Sequence, residues 1–511
     1  MFKKSTTNRQ IDFLSDVSMQ LDEKRSKTFN DPHSWHNQFF HHVVCNIDEE
    51  CFKDLYSQRK GRPNAPVRIL VGMLALKEGH GWSDAQLFEQ LHFNLLVMKA
   101  LGFENISDKV PSPSTYYLFK QTMYDFSLNH GRNLMMEAFQ AVTKSQVDLF
   151  GVNGQKIRMD SKLIGSNIVC CTRLRLIISC LQAFWKSLSD DLKDRTDTNR
   201  RIQLDELCQQ QPHQVIYPLS EEEKSQKLVD LGKVLLYLKN LYDDIDHDQF
   251  KTLKRLFSEQ YEVKGDHTQL KPAKAIAADS IQSPHDPDAA YRRKRHQSVM
   301  GNSVNITETC NPNELNLIVD VQVEKATHAD KDFMQPALNH AMEILGSIDE
   351  VYLDGAYQSQ DNLGYGKAHA MNLVYTGISG AKGRYEYEPT DLGLLVYDRH
   401  TNQYMNAIEY KPGHYKIRQF NGSWRYIKAE EIDCYKRRKA IEHLPLDIKH
   451  RRNNVEASLF QLAYHVDNNK TRYRENFRNS LWAISRTVWL NLVRIKKHVK
   501  EQFAVLHVAP S

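Results

Sequence analysis

Two short apolar stretches each end in an aspartate, Arg158-Met159-Asp160 and Tyr352-Leu353-Asp354, and these stand 194 residues apart. Over Gln155–Lys162 the residues alternate. Ile157 and Met159 point one way, Arg158 and Asp160 the other, which is the two-residue period of a strand with one buried face. Glu350–Leu353 repeats the arrangement, with the residue before the acid on the core side. If the two strands are neighbours, both carboxylates converge at one edge of a sheet. Two close carboxylates repel and one is pushed toward protonation unless a cation intervenes. A hard divalent ion such as Mg²⁺ resolves that conflict and takes oxygen ligands. Either aspartate taken alone also reads as a turn or cap residue.

The rest of the pattern is consistent with a layered α/β core. Strands are expected at Gln297–Thr309, Leu315–Glu324 and Met371–Tyr375, with a helix from about Asp332 through Phe333, Ala337, Ala341 and Leu345. Before this core, residues 1–60 read as lead-in helices and 61–150 as an all-α domain. Its helix at Val67–Lys77, its Ser83-capped helix and its helix from Ser114 or Thr115 resemble a helix-turn-helix unit, or equally a plain packing domain. The core itself divides into 151–167 and 266–379. Residues 168–265 form a helical insertion, an arm of two longer helices whose row of Leu228, Leu231, Leu235, Leu238 and Leu241 serves core packing or a dimer seam. Residues 380–445 carry short strands at Leu394–Tyr397, Gln403–Glu409, His414–Phe420 and Trp424–Ile427, a small β insertion. From 446 to 511 the chain is helical and basic.

At 511 residues, 41% hydrophobic and 26% charged, the chain can build several cores. Its net charge of +5 permits an anionic partner without demanding one. The eight cysteines form no C-x-x-C pair and no zinc spacing, so reduced structural thiols are expected. No apolar run is long enough to span a bilayer, and no secretory signal is read at the N-terminus. A soluble, cytoplasmic protein is expected.

A third acid, Glu456, lies on a helix with Val455, Leu459 and Leu462 on its apolar side. It reads either as a partner of Arg452 at i,i+4 spacing or as a further member of the carboxylate group. Arg451, Arg452, Lys470, Arg472 and Arg474 crowd the same region, interleaved with Tyr473, Trp482 and Trp489. That mixture suits a phosphate backbone, or a solvated face. The run Arg292-Arg293-Lys294-Arg295-His296 is a further basic element, on DNA or in a solvated loop. Asp286 and Asp288 flank Pro287 and suggest a turn.

These motifs, in this order, resemble the DDE transposases of bacterial insertion sequences. Asp354-Gly355-Ala356-Tyr357-Gln358-Ser359 with Asp361-Asn362 resembles their second-aspartate motif. Met159-Asp160-Ser161-Lys162 resembles the first-aspartate strand, and Arg452-Asn453-Asn454-Val455-Glu456 the Arg-x-x-x-Glu of the catalytic helix. Gly61-Arg62-Pro63, Gly81-Trp82-Ser83-Asp84 and Ser112-Pro113-Ser114-Thr115 resemble the helical DNA-binding domain that often precedes the family's core, here 61–150, and Asp286-Pro287-Asp288-Ala289 resembles an element between its first two catalytic aspartates. Lys449 and Ala463 stand where many relatives carry Tyr and Lys, with Lys470, Arg472 or Arg474 as a replacement cation and Glu475 as a distant alternative acid.

The resemblance implies an RNase H-like mixed sheet flanked by helices, with Asp160, Asp354 and Glu456 holding two Mg²⁺ ions, or Mn²⁺ in their place. It implies hydrolysis at the ends of an insertion sequence followed by strand transfer. The expected partners are double-stranded DNA, both terminal inverted repeats and target, and a second copy of the chain in a homodimer at the bacterial nucleoid. Arg62, Lys120, Arg451, Arg452, Lys470, Arg472 and Arg474 are the expected DNA contacts. The same acids would also serve a nuclease that does not join, and an inactive DNA-binding derivative would keep the fold.

Overall fold

In a computed structural model, the described residues are 1–4, 17–57, 62–103, 105–265, 267–294, 297–378, 382–390, 393–419 and 421–508, with side chains to 503. Gly61, Arg295 and His296 lie outside them. The fold is mixed α/β. Its central sheet contains β1 (Lys156–Gly165) and, after the small hairpin β2 (Tyr261–Lys264) and β3 (His267–Leu270), the strands β4 (Ala290–Lys294), β5 (Gln297–Thr309), β6 (Ile318–Lys325), β7 (Glu350–Leu353) and β8 (Asn372–Tyr375). β6 and β5 pair antiparallel, as do β5 and β1, whereas β1, β7 and β8 run parallel. β4 folds back on the start of β5, so the basic run begun at Arg292 is strand rather than loop.

Alternation along these strands divides the core. Ile157, Met159, Val351 and Leu353 pack with Phe333, Ala337, Leu338 and Ala341 of the Asp330–Leu345 helix on one face. Ile164, Val304, Ile306 and Val321 face the other way, into a cluster shared with the N-terminal helices. The N-terminal helical region is therefore not a separate body on a linker. Its helices at Trp35–His42, Val67–His80, Pro113–His130 and Leu134–Phe150 bury their apolar residues with the sheet and with the long Asn476–Val508 helix. Local chemistry sets their ends. Ser83 and Gln86 form a reciprocal capping box, and Ser112 caps the helix that Pro113 begins.

The Asn476–Val508 helix crosses Val67–His80 where Gly79 meets Trp489, whose ring also approaches Trp35 at 5.9 Å and His80 at 4.5 Å. A Cβ on Gly79 would fall within that ring.

Residues 168–265 form a helical unit with its own core. Helices Arg173–Ser187, Thr198–Gln209, Glu221–Leu241 and Asp248–Gln260 enclose Trp185, Leu235, Leu238, Tyr242 and Phe250. The leucine row is thus spent on core packing. The helix at Thr198–Gln209 occupies a segment that reads as merely polar, because Leu204 is its one buried residue. The β insertion is an antiparallel meander of β9 (Tyr385–Thr390), β10 (Gly393–Asp398), β11 (Gln403–Lys411), β12 (His414–Arg418) and β13 (Trp424–Ile427). The Ala429–Glu442 helix covers one face of it through Ile432. Among the described residues, no helix is long and apolar enough to cross a membrane.

Gly79→Ala tests the helix crossing. Alanine favours a helix by up to about 1 kcal/mol over glycine, yet here the added methyl overpacks against Trp489 and a net loss of about 1–3 kcal/mol is expected by chemical denaturation. Unchanged or increased stability would contradict the packing described.

Candidate active site

β1 and β7 pair parallel with Arg158 opposite Tyr352, so Asp160 and Asp354 occupy equivalent places two residues further on. Met159 and Leu353 are buried in the core. Asp354 directly follows the last residue of β7, whereas Asp160 sits midway along β1, which runs on to Gly165 instead of ending near the acid as its sequence suggests.

The turn after Asp354 is built by its neighbours in sequence. The Asp354 carboxylate accepts the Gly355 N–H at 2.7 Å and caps the short turn Gly355–Tyr357. Gly355 passes so close to the next loop that a Cβ would lie 2.5 Å from the Gly377 carbonyl oxygen. The fully buried Tyr357 donates to Asn305 Oδ1 of β5 at 2.6 Å. Ser359 caps the Gln360–Ala368 helix, and the Asn362 amide reaches the carbonyls of Lys331 and Tyr357, both at 2.8 Å. The motif is therefore chiefly a device for holding Asp354 against the sheet. On β1, Ser161 plays the corresponding part by donating to Asp330 at 2.8 Å.

The third acid arrives on the Leu446–Leu462 helix, which buries Val455, Ser458, Leu459 and Leu462. Arg452 on this helix reaches all three carboxylates. Its guanidinium lies 2.7 Å from Asp160, 2.9 Å from Glu456 and 3.9 Å from Asp354. Exposure rises outward, from 13% for the Asp160 side chain to 46% for Asp354 and 61% for Glu456. Burial pushes the Asp160 carboxyl up to about 6, against the pull of Arg452 and the Ser161 N–H, with the other two acids adding to the rise. Burial lowers the affinity of Arg452 for its proton, but the three carboxylates outweigh it. Among the described residues, no three acid, His or Cys side chains are grouped closely enough to grip one metal ion. The triad is spread around the guanidinium instead.

Beneath the site lies a residue that sequence reasoning passed over. Glu308 of β5 is fully buried and takes Arg158 at 2.6 Å, Arg494 at 2.7 Å and the Ser458 hydroxyl at 2.7 Å. Burial alone would raise this carboxyl, but Arg494 and Arg158 hold it below the ordinary range. Arg158 also donates to the Arg451 carbonyl at 2.7 Å. Glu308 thus joins β1, β5, the Arg452 helix and the C-terminal helix. The available signal was a lone acid in an otherwise uncharged strand stretch, Ser303 to Thr309.

Residues 29–122 match the family described as Transposase domain (DUF772). That match supports a transposase. A comparison with curated proteins returned no match. Among solved structures, the cryo-EM structure of a piggyBac transposase synaptic complex with hairpin DNA is similar at 9% identity, covering 92% of this chain and 75% of that one, with a TM-score of 0.30.

The remaining expected DNA contacts are dispersed. Arg62 is exposed in the N-terminal region, and Lys120 lies in a cavity between helices. Arg451 donates to the Tyr352 hydroxyl at 3.3 Å, and Lys470 donates to the Ile168 carbonyl. Arg472 donates to the carbonyls of Gly81 and Trp82 at 2.7 Å each, and Arg474 to that of Asn167 at 2.9 Å. Asp286, expected in a turn, is buried there and accepts from Ser166 and from the Ala289 N–H. Glu475 pairs with Arg478 at 3.3 Å, apart from the triad.

Two outcomes test this geometry. The Asp160 carboxyl binds its proton more tightly folded than unfolded, so its contribution is full below pH 3.8 and is lost as pH rises through about 6. In EDTA, Asp160→Asn should therefore gain about 1–3 kcal/mol over wild type at pH 8 and little or nothing at pH 4, followed by denaturant melts. A gain that is the same at both pH values would contradict the assignment. Glu308→Ala should cost about 3–5 kcal/mol, as expected when one partner leaves a buried charge network. A loss below about 1 kcal/mol would show the network to be incidental.

Proposed function

We propose that this chain is a DDE-type DNA transposase with an RNase H-like core, in which Asp160, Asp354 and Glu456 carry the phosphodiester chemistry. The observation that carries the reading is their convergence, from three distant places in the chain, on one guanidinium beside the adjacent parallel strands β1 and β7. The sheet order β6-β5-β1-β7-β8, with β1, β7 and β8 parallel and β5 antiparallel to β1, supports the core architecture. The match over residues 29–122 supports the transposase class.

The donor set suits hard divalent cations. All three side chains offer carboxylate oxygens, and they already share a cationic partner. Asp160, Asp354 and Glu456 would hold Mg²⁺ or Mn²⁺, as two ions, which when bound supply Lewis acidity to the scissile phosphate and the leaving oxygen. The chain's own part is positional. Glu308 and Arg158 fix the Arg452 helix against β1, and the Gly355 turn fixes Asp354. Arg451 and Arg452 would pair with phosphate oxygens beside the acids when DNA is bound.

In this reading, water attacks the phosphodiester at an element end and the P–O3′ bond breaks, releasing a 3′-hydroxyl. That hydroxyl then attacks a target phosphate, forming one phosphodiester as another breaks. No covalent protein–DNA intermediate is required. Arg62, Lys470, Arg472 and Arg474 are secondary candidates for backbone contacts, the protein works as a homodimer on double-stranded DNA, and its place is the bacterial cytoplasm at the nucleoid.

The test is a supercoiled plasmid carrying the coding sequence with its native flanking DNA, incubated with protein and Mg²⁺ or Mn²⁺ beside an unrelated target plasmid. Wild type should yield cut ends and joined products, and Asp354→Asn should reduce both at least about a thousandfold. Cutting without joining would select the nuclease reading, and DNA binding with neither would select an inactive derivative.

A further inference from the structure

Away from the carboxylates, a cavity of about 380 Å³ opens between the Val67–His80 and Pro113–His130 helices and the start of the Asn476–Val508 helix. Its size is at the low end of the range for small-ligand pockets. Tyr116, Tyr117, Tyr124, Tyr473, Phe477 and Trp482 provide its aromatic walls. A wall of this kind offers flat π faces to a planar ring.

The polar groups fall into two sets. One set is internally satisfied. Lys77 lies 2.6 Å from Asp84 and donates to the Tyr473 hydroxyl at 2.9 Å, and that hydroxyl donates in turn to Glu78. The other set is not. Tyr116 Oη and Ser485 Oγ both belong to fully buried residues lining the cavity, and neither has a hydrogen-bond partner. Leaving such a hydroxyl unmatched costs about 1–3 kcal/mol each, a cost that a ligand bearing donors and acceptors removes.

Two cations complete the site. The Lys120 ammonium lies over the rings of Tyr116 and Tyr117, 4.3 and 4.7 Å from their centroids. It is 3.9 Å from Asp84, and burial lowers its proton affinity to about 8. Arg478, half-exposed and paired with Glu475, lines the rim. Aromatic walls, unmatched hydroxyls and cations suit a flat hydrogen-bonding ring joined to an anion.

We propose that this cavity binds a single nucleotide, its base between the aromatic walls and against the Tyr116 and Ser485 hydroxyls, its phosphate on Lys120 and Arg478. The nucleotide has two possible sources, a free nucleoside monophosphate or one unpaired nucleotide swung out of a DNA strand. Extrusion of a base into an aromatic pocket costs a few kcal/mol and is cheapest where the base is already unpaired. The inference stands on the cavity alone, independent of the carboxylate chemistry.

Calorimetry with dAMP, dTMP and inorganic phosphate tests the free source. A duplex carrying one bulged 2-aminopurine, whose emission is quenched on stacking, tests the strand source against the fully paired duplex. Saturable binding of either nucleotide form, at least tenfold weaker in Lys120→Gln and in Tyr116→Phe, supports the site. Asp354→Asn should leave that binding unchanged, which separates this result from the carboxylate reading. Ser485→Ala, which removes only a hydroxyl, serves as a second variant if either substitution disturbs the fold by circular dichroism. Absence of nucleotide binding with unchanged bulge emission overturns the proposal, as does equal binding by folded variants.

Discussion

The pairing of Arg452 with Asp160 is the interaction on which the rest of the site depends. Asp160 lies midway along a central strand in a place that burial makes hostile to charge, and Asp354 follows the end of the adjacent parallel strand at the same level. Two acids in that position repel, and the sheet tolerates them because a guanidinium returns from 292 residues further along the chain. A half-buried cation is itself costly unless its partners surround it. Here Glu456, one turn along the same helix, completes the set at 2.9 Å. Charge balance and site geometry are therefore one problem with one solution.

That solution needs a rigid support, and two features provide it. Glu308 binds Arg158, Arg494 and Ser458 at once, which fixes the Arg452 helix to β1 and to the C-terminal helix. The C-terminal helix then carries the restraint outward. Its Ile484, Val488 and Leu492 pack in the cluster shared with the N-terminal helices, and its Asn491 bonds both backbone groups of Ile318 on β6. The region matched as a transposase domain and the carboxylate-bearing sheet are thereby parts of one packed unit.

Much of this was legible in the sequence, for identifiable reasons. The start of β1 alternates up to Asp160, β7 is a short apolar run leading into Asp354, and the turn after Asp354 spells out its requirements in Gly355, Tyr357, Ser359 and Asn362. Other elements hide their signals. β4 carries Arg292, Arg293 and Lys294, a composition that suggests a solvated loop until its pairing with β5 is seen. β9 includes Pro389 and two glutamates, and the Ala429–Glu442 helix buries only Ile432. Glu308 shows in the sequence only as a lone acid in an uncharged strand stretch, and its three partners, from β1 and two later helices, follow no pattern. The cations are ambiguous in the sequence. Lys470, Arg472 and Arg474 look like a phosphate-binding run, yet each donates to a backbone carbonyl that joins distant segments. Charge in a sequence does not say whether its partner is a ligand or the chain itself.

The central claim is that Asp160, Asp354 and Glu456 form one divalent-metal centre. Anomalous diffraction from crystals soaked in Mn²⁺ tests it most directly. The account predicts Mn²⁺ density among these three carboxylates, with the Arg452 guanidinium withdrawn from Asp160, and its loss in Asp354→Asn. Mn²⁺ bound elsewhere, at Asp286, Asp288 and Glu475 for instance, or three carboxylates still closed around Arg452 at saturating Mn²⁺, would contradict it.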